Sequence, residues 1–338
     1  MKTIRIIVVL FISVLAACNG FSNTPVSSTA IPRLSPEATK YLNDALDLMQ
    51  NNSINKDKID WPTLRADMLN AANGAQIPAD TYRIIKMALS RLNDHHSIFI
   101  DPQQASAAES GTSPTPMPPE IKLVENKFGY VAVPGYWGLN EDLINQYGTD
   151  MQKKIEEIDR QKPCGWIVDL RGNDGGNMWP MLIGIGPILG EGKAGSWVDA
   201  DGSETEWAYL NGKGMIDIEV ASDVIGEPYH LANPEAPVAV LFGPKTASSG
   251  EVIVISFIGR TNTRTFGSNS GGYTTANEGF PLSDEAIIFL TTAVTEDRTG
   301  KLYSNAIIPD VRTDGDNDHA GPVPEDALQW LGDQPACD

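Results

Sequence analysis

The sequence is poor in basic residues and in histidine, and each shortage excludes a class of function. Lys and Arg together number 25 against 44 Asp and Glu, which gives a formal charge of −19. Because phosphate backbones and anionic lipid headgroups are bound by Lys and Arg, we expect no nucleic-acid partner. The 4 histidines include no pair at the i, i+4 spacing typical of zinc sites. Aspartates 314, 316 and 318 follow calcium-loop spacing, but His319 stands where that loop requires glycine. We therefore expect no metal and no cofactor.

Long apolar runs are also scarce, and the one that stands out lies at the N-terminus. Lys2 and Arg5 precede apolar residues 6–15, and Ala16-Ala17-Cys18 follow. This pattern predicts a secretory signal peptide over residues 1–17, too short for a stable membrane anchor. Its end resembles the lipobox of bacterial lipoproteins, in which the cysteine, here Cys18, is lipidated; the alternative is an ordinary signal peptide with a chance cysteine. We expect an exported protein of the bacterial cell envelope, on the periplasmic face or cell surface, attached to the membrane by lipid alone.

Cysteine is the third scarce residue, with 3 in the chain. Apart from Cys18, only Cys164 and Cys337 occur. In an oxidising envelope these two either form a disulfide that ties the C-terminus to the core or remain two separate thiols.

The remaining sequence divides into segments of different pattern. The divisions are a flexible tether at 18–35, an N-terminal helical segment at 36–100, a Pro/Ser/Thr-rich linker loop at 101–120 and a core at 121–335. Apolar residues recur every three or four positions in the helical segment, which predicts a small bundle. Strand and helix patterns alternate in the core, which predicts an α+β or α/β fold with a mixed β-sheet and covering helices.

Ser248 lies where a buried strand pattern, residues 237–242, gives way to a helix pattern, residues 252–258. A serine at a helix N-terminus neighbours unpaired backbone N–H groups, so Ser248 is a candidate nucleophile beside an anion site. Glu251 follows three residues later, as in a capping box, and the pair could equally serve only to start the helix.

A glycine-rich turn follows another buried strand pattern and reads Asp169-Leu170-Arg171-Gly172-Asn173-Asp174-Gly175-Gly176. Its backbone N–H groups could cradle an oxyanion, or the turn could merely be tight. The spacing fits neither a P-loop nor a dinucleotide fingerprint.

His96 lies in Asp94-His95-His96-Ser97, at the end of the third helix pattern. A histidine there could favour the helix C-terminus, or it could be the base for a distant serine, because imidazole titrates near neutrality.

Together these pieces resemble the C-terminal processing peptidases, or tail-specific proteases, with their tricorn-core relatives. The glycine turn is similar to that family's Asp-Leu-Arg-x-Asn-x-Gly-Gly, and Thr246 to Glu251 resembles its Thr-Ala-Ser-x-x-Glu. The resemblance implies a crotonase-like ββα spiral, with Ser248 as nucleophile. It also implies backbone oxyanion donors at Ser249 and at Gly175 or Gly176.

The chain departs from that family in three ways. Tyr273 stands 25 positions after the serine, where the processing peptidases have their lysine, so a Ser-Lys dyad is excluded. The tricorn-like branch uses a histidine instead, which His96 matches, with His95 the less favoured neighbour. The region 303–305 lacks the acidic residue of that branch, and residues 101–120 are too few for a PDZ domain.

The sequence therefore predicts a cell-envelope serine peptidase of the PDZ-less, tricorn-like branch, acting by acyl transfer on peptides or unfolded proteins. Ser248 and His96 would be catalytic, with Glu251, Tyr273 and Arg171 in supporting positions. The alternative is a catalytically inactive lipoprotein of the same fold that binds peptides or apolar ligands.

Overall fold

The computed structural model describes residues 33–110, 117–313 and 321–337. The expected signal peptide, the lipidation site Cys18, most of the tether and the aspartates at 314, 316 and 318 lie outside these residues. In the described residues, no helix is long and apolar enough to cross a membrane.

The described helices and strands alternate along the chain after an all-helical start. In chain order they are α1 (Pro36–Asn52), α2 (Trp61–Ala71), α3 (Tyr82–Ser90), β1 (Ile98–Ile100), α4 (Pro102–Glu109), β2 (Glu120–Val124), β3 (Phe128–Ala132), α5 (Glu141–Asp159), β4 (Gly165–Asp169), α6 (Met178–Leu189), β5 (Gly192–Asp199), β6 (Glu204–Leu210), β7 (Lys213–Ile216), β8 (Glu219–Asp223), β9 (Val238–Phe242), α7 (Ser249–Phe257), β10 (Thr263–Gly267), β11 (Thr275–Pro281), β12 (Ile287–Asp297), β13 (Leu302–Tyr303), β14 (Val311–Arg312) and α8 (Glu325–Gly332).

The first sheet has the order β14-β10-β9-β4-β3-β2 and is parallel except for β2, which pairs antiparallel with β3. Strands β4 and β9 are buried along their whole length, as expected where helices cover both faces of a sheet. Val238 and Val240 of β9 pack with α5, α6 and α7, whereas Ala239 and Leu241 pack with α8. This alternation places the sheet between two layers of helix.

The second sheet is antiparallel and joins the N-terminal helices to the core. Its order is β1-β12-β5-β6-β7-β8, with β11 and β13 also paired to β12. Ile288 and Leu290 of β12 pack into the apolar cluster of α1, α2 and α3. Trp207 and Tyr209 of β6 pack into the core cluster with α6 and α7. Strands β5–β8 follow one another along the chain and pair antiparallel with their neighbours.

The docking of α1 and α3 is reinforced by one carboxylate between β11 and β12. Tyr41 and Tyr82 each donate a hydroxyl hydrogen bond of 2.6 Å to Asp284. The helices therefore contact the second sheet through polar contacts as well as apolar burial.

The predicted α+β class, with an N-terminal helical bundle and a mixed sheet, is confirmed. The structure differs within the segment assigned to a linker loop, because residues 102–109 form α4. Asp101 caps that helix by accepting the Gln104 N–H at 2.9 Å, and Pro102 fits the first helical turn. Because residues 101–120 are rich in Pro, Ser and Thr, they were expected to form a loop, and the helix cap at Asp101 was missed.

Cys164 and Cys337 form a disulfide across 173 positions of sequence. It fastens the chain just after α8 to the residue that precedes β4. Of the two states left open by the sequence, the structure has the bonded one.

Candidate active site

Ser248 occupies a strained turn between β9 and α7. Its φ is 52° and its ψ is −122°, a combination that favours glycine as the first central residue of a type II′ turn. Such a conformation costs a residue with a side chain about 1–3 kcal/mol and persists only where its surroundings enforce it. Thr246 supplies part of that enforcement, since its hydroxyl donates to the Leu170 carbonyl at 2.8 Å and accepts the Gly243 N–H. The Glu251 N–H donates to the backbone carbonyl of Ser248 at 2.8 Å, and the Ser248 hydroxyl makes no cap hydrogen bond.

His96, in the turn after α3, lies beside that hydroxyl. Its Nε2 lies 2.8 Å from Ser248 Oγ, although the two residues are 152 positions apart. His96 and not His95 makes this contact, as the sequence pattern favours. Asp94 sets the local turn by accepting the N–H groups of His96 and Ser97, and the Ser97 hydroxyl accepts the Thr291 N–H of β12.

The other ring nitrogen of His96 faces β11. Its Nδ1 lies 2.9 Å from Thr275 Oγ1, and the Asn277 amide donates to the His96 carbonyl at 2.8 Å. Burial lowers the pKa of His96 below its ordinary value, opposed in part by the charge of Asp94 and by the Thr275 backbone. A neutral imidazole can accept a proton, so this environment favours the form that a general base needs.

Glu251 is fully buried behind Ser248 and accepts hydrogen bonds from several donors at once. They are the N–H groups of Ser248, Gly272 and Tyr273 and the hydroxyl of Ser270. Burial raises the pKa of Glu251, and these hydrogen bonds oppose that rise. Because every contact comes from a donor, the arrangement suits an ionised carboxylate. Glu251 thus completes half of the predicted capping box while joining the start of α7 to residues 270–273.

The glycine turn packs directly against the nucleophile turn. A Cβ on Gly175 would lie 2.9 Å from Ser248 Cβ, and the φ of Gly175 is +103°, so both space and conformation require glycine. The Ala247 N–H donates to the Asn173 carbonyl at 3.0 Å and fixes the two turns together. This close approach brings backbone N–H groups to Ser248.

Two of the three expected oxyanion donors are free to act. The Gly175 N–H donates to Asn173 Oδ1 at 3.0 Å, so its hydrogen is already engaged. The N–H groups of Gly176 and Ser249 have no acceptor among the described residues. The Ser249 hydroxyl donates to the Gly176 carbonyl and fixes the two residues relative to each other.

Tyr273 and Arg171 support the site in different ways. The Tyr273 ring meets the His96 ring edge-on at 5.5 Å between centroids and remains 43% exposed, so it forms part of the surface beside the base. Arg171 is buried in a bidentate pair with Asp169, and its guanidinium also donates to the carbonyls of Gly321 and Pro322. Arg171 therefore holds the end of β4 and the segment before α8, rather than a ligand.

A cavity of about 510 Å³ opens beside the base. Tyr273, His95 and Asp94 line one part of it, and Leu89 and Phe99 supply apolar surface. On the other side of Ser248, Trp137 is 52% exposed and packs close to Gly176. Ser248 thus lies in a region bordered by exposed aromatic surface, as is common where proteins bind organic ligands.

Thr275 and Asn277 were missed by the sequence reasoning. Neither residue belongs to a motif, and the strand that carries them shows no clear apolar alternation.

Among the described residues, no cluster of three or more His, Cys, Asp or Glu could hold a metal ion.

Comparisons with known proteins bear on the family and on the fold. Peptidase family S41 matches residues 127–313. The nisin-resistance protein of Lactococcus lactis subsp. lactis is 28% identical over 300 residues, which span 88% of each chain. A lipoprotein structure from Streptococcus agalactiae is similar with a TM-score of 0.73 and 25% identity, covering 88% of this chain and 97% of that one. The photosystem II D1 C-terminal processing protease has a TM-score of 0.58 at 16% identity, over 89% of this chain and 98% of that one, which shows a shared fold.

Proposed function

The chain belongs to peptidase family S41, and on that premise we propose that it is a serine peptidase with Ser248 as nucleophile and His96 as base. The observation that carries the proposal is the 2.8 Å contact between Ser248 Oγ and His96 Nε2. A serine at the start of a helix is common. A strained serine whose hydroxyl faces a half-buried histidine, and not its own helix, is what acyl transfer needs.

The reaction follows from the positions of these atoms. Ser248 Oγ attacks the carbonyl carbon of the scissile bond while His96 Nε2 takes the hydroxyl proton. The N–H groups of Ser249 and Gly176 stabilise the negative charge on the carbonyl oxygen. His96 then returns its proton to the leaving amine, and an ester on Ser248 remains. Water, deprotonated by His96, hydrolyses that ester and regenerates the hydroxyl.

The substrate is proposed to be a peptide or an unfolded protein segment, with a side chain in the cavity beside Tyr273. The nisin-resistance protein supports a peptide substrate by its name, and nisin is therefore the first peptide to test. The S. agalactiae lipoprotein supports a place in the bacterial cell envelope, with lipid on Cys18 as the attachment.

A second candidate function is peptide or apolar-ligand binding without hydrolysis. One observation favours it: within the described chain, no Asp or Glu side chain contacts either ring nitrogen of His96. A base without a carboxylate partner lacks one source of stabilisation for its protonated form.

Fluorophosphonate labelling of the purified protein separates the two candidates. We expect the wild type to be labelled, Ser248→Ala to remain unlabelled, and His96→Gln to react at least about 10³-fold more slowly. Ser203→Ala, which changes an exposed serine in the turn between β5 and β6, is the matched control and should label like the wild type. An unlabelled wild type would exclude the hydrolase. Mass spectrometry of nisin after incubation with wild type and Ser248→Ala then tests that peptide as substrate.

A further inference from the structure

The His96 ring is held on two sides, yet the partner of Nδ1 is a threonine and not a carboxylate. Thr275 Oγ1 lies 2.9 Å from Nδ1, while Ser248 Oγ lies 2.8 Å from Nε2. In a serine hydrolase with a triad, a carboxylate accepts from Nδ1 and so fixes which ring nitrogen carries the hydrogen. A hydroxyl can do the same, provided that something makes it an acceptor.

The contact at Nε2 makes that choice. A ring that takes the Ser248 proton must present a lone pair at Nε2, and its own hydrogen then lies on Nδ1. The Thr275 hydroxyl can accept that hydrogen, because its oxygen has two lone pairs. Of the two neutral tautomers, this is the one in which His96 can take the serine proton.

Strand pairing and hydrogen bonds fix the position of β11 next to His96. Thr275 pairs with Val294 of β12, and the preceding residues 272 and 273 are bonded to buried Glu251. Asn277 holds the His96 carbonyl through its amide, and its own Oδ1 accepts the Thr291 hydroxyl. One short strand therefore fixes both the ring and the main chain of the base.

We propose that Thr275 is the positioning residue of this site, orienting His96 and fixing its tautomer in the place that a carboxylate takes in a triad. The inference rests on the proposed Ser–His hydrolase. It assigns the third position to the first residue of β11, because region 303–305 has no carboxylate. Among the described residues, the titratable groups beside His96 are Asp94 of its own turn and Tyr273, and Glu251 lies behind Ser248.

The rate of fluorophosphonate labelling, measured from pH 4 to 9 on the purified full chain, tests this role without a known substrate. Thr275→Ser keeps the hydroxyl, and we expect it to label within about 3-fold of the wild type. Thr275→Val removes only the hydroxyl, and we expect a rate about 10–100-fold lower. Thr205→Val, at a half-buried strand threonine of β6, is the matched control and should leave the rate unchanged.

Thr275→Asp provides a measurement whose result should not change if Thr275 had only a structural role. A carboxylate beside Nδ1 favours the imidazolium, so the labelling rate should reach half its maximum at a higher pH than in the wild type. If Thr275→Val labels as fast as Thr275→Ser, or if Thr275→Asp leaves the pH midpoint unchanged, the positioning role is overturned and the hydrolase stands. A wild type without label at any pH would overturn both.

Discussion

The two halves of the site are built differently. The nucleophile half belongs to the parallel sheet, where Thr246, Asn173 and Glu251 fix the turn around Ser248 with buried hydrogen bonds. The base half lies outside that sheet, on a turn after α3 whose residues Asn93 and His95 both have positive φ. His96 reaches the serine only because the helical bundle docks on the second sheet. The geometry around Ser248 thus depends on local folding, whereas the position of His96 depends on the docking of the helical bundle.

The largest expected effect comes from the carboxylate behind the nucleophile. Glu251→Ala leaves its four donors without an acceptor in a fully buried place, so we expect the free energy of unfolding to fall by about 3–5 kcal/mol. Glu251→Gln keeps the shape and an acceptor oxygen, and should lose less. Denaturant titration of both variants measures the difference. Equal losses would contradict this order, because they would show that the shape and the single acceptor oxygen kept by glutamine contribute nothing to the stability of the turn.

The docking contact should show a smaller loss of stability together with a loss of reactivity. Asp284→Ala removes the acceptor shared by Tyr41 and Tyr82, which should lower the free energy of unfolding by about 1–3 kcal/mol. Labelling of Ser248 should also slow, since a loosened bundle holds His96 less well.

Asp67→Ala is the control for that contact. It removes an exposed ion pair with Arg91 and should change stability by less than about 1 kcal/mol without slowing the label. If Asp284→Ala labels as fast as the wild type, the base does not depend on this docking contact.

The strain at Ser248 predicts a variant that is more stable and inactive. Glycine adopts the observed φ and ψ freely, but it also has more conformational freedom in the unfolded chain. We expect Ser248→Gly to be about 0.5–1.5 kcal/mol more stable than Ser248→Ala, which keeps the strain. Thermal melts compare the two, and equal midpoints would argue that the turn holds no strain at this residue.

The smallest effect is a pH dependence that belongs to the base half. Because burial lowers the pKa of His96 in the folded state, the unfolded chain binds more protons as pH falls through the ordinary histidine range. The free energy of unfolding should therefore decrease as the pH decreases through that range. His96→Gln should make this decrease smaller. His230→Gln, at an exposed histidine, should leave it unchanged. A His96→Gln variant with the wild-type pH slope would contradict the lowered pKa.

The difference between the Ser248 half and the His96 half of the site also explains which residues could be predicted from the sequence. Ser248, Glu251 and the glycine turn stand next to strong strand patterns, so their place at the ends of β4 and β9 follows from local order. His96 could be named only by resemblance, because its contact with Ser248 spans 152 positions. Thr275 and Asp284 carry no local signal, since their roles exist only after β11 pairs with β12 and the bundle docks. Whether Gly175 or Gly176 keeps a free N–H depends on the single hydrogen bond that the Gly175 N–H donates to Asn173 Oδ1.

Under the proposed function, the long separation of Ser248 and His96 also delays activity during synthesis. His96 leaves the ribosome long before Ser248, and the emerging chain folds from its N-terminus. The two side chains come into contact only once β9, α7, β11 and β12 have been made and packed. Completion of the fold is then itself the step that activates the peptidase.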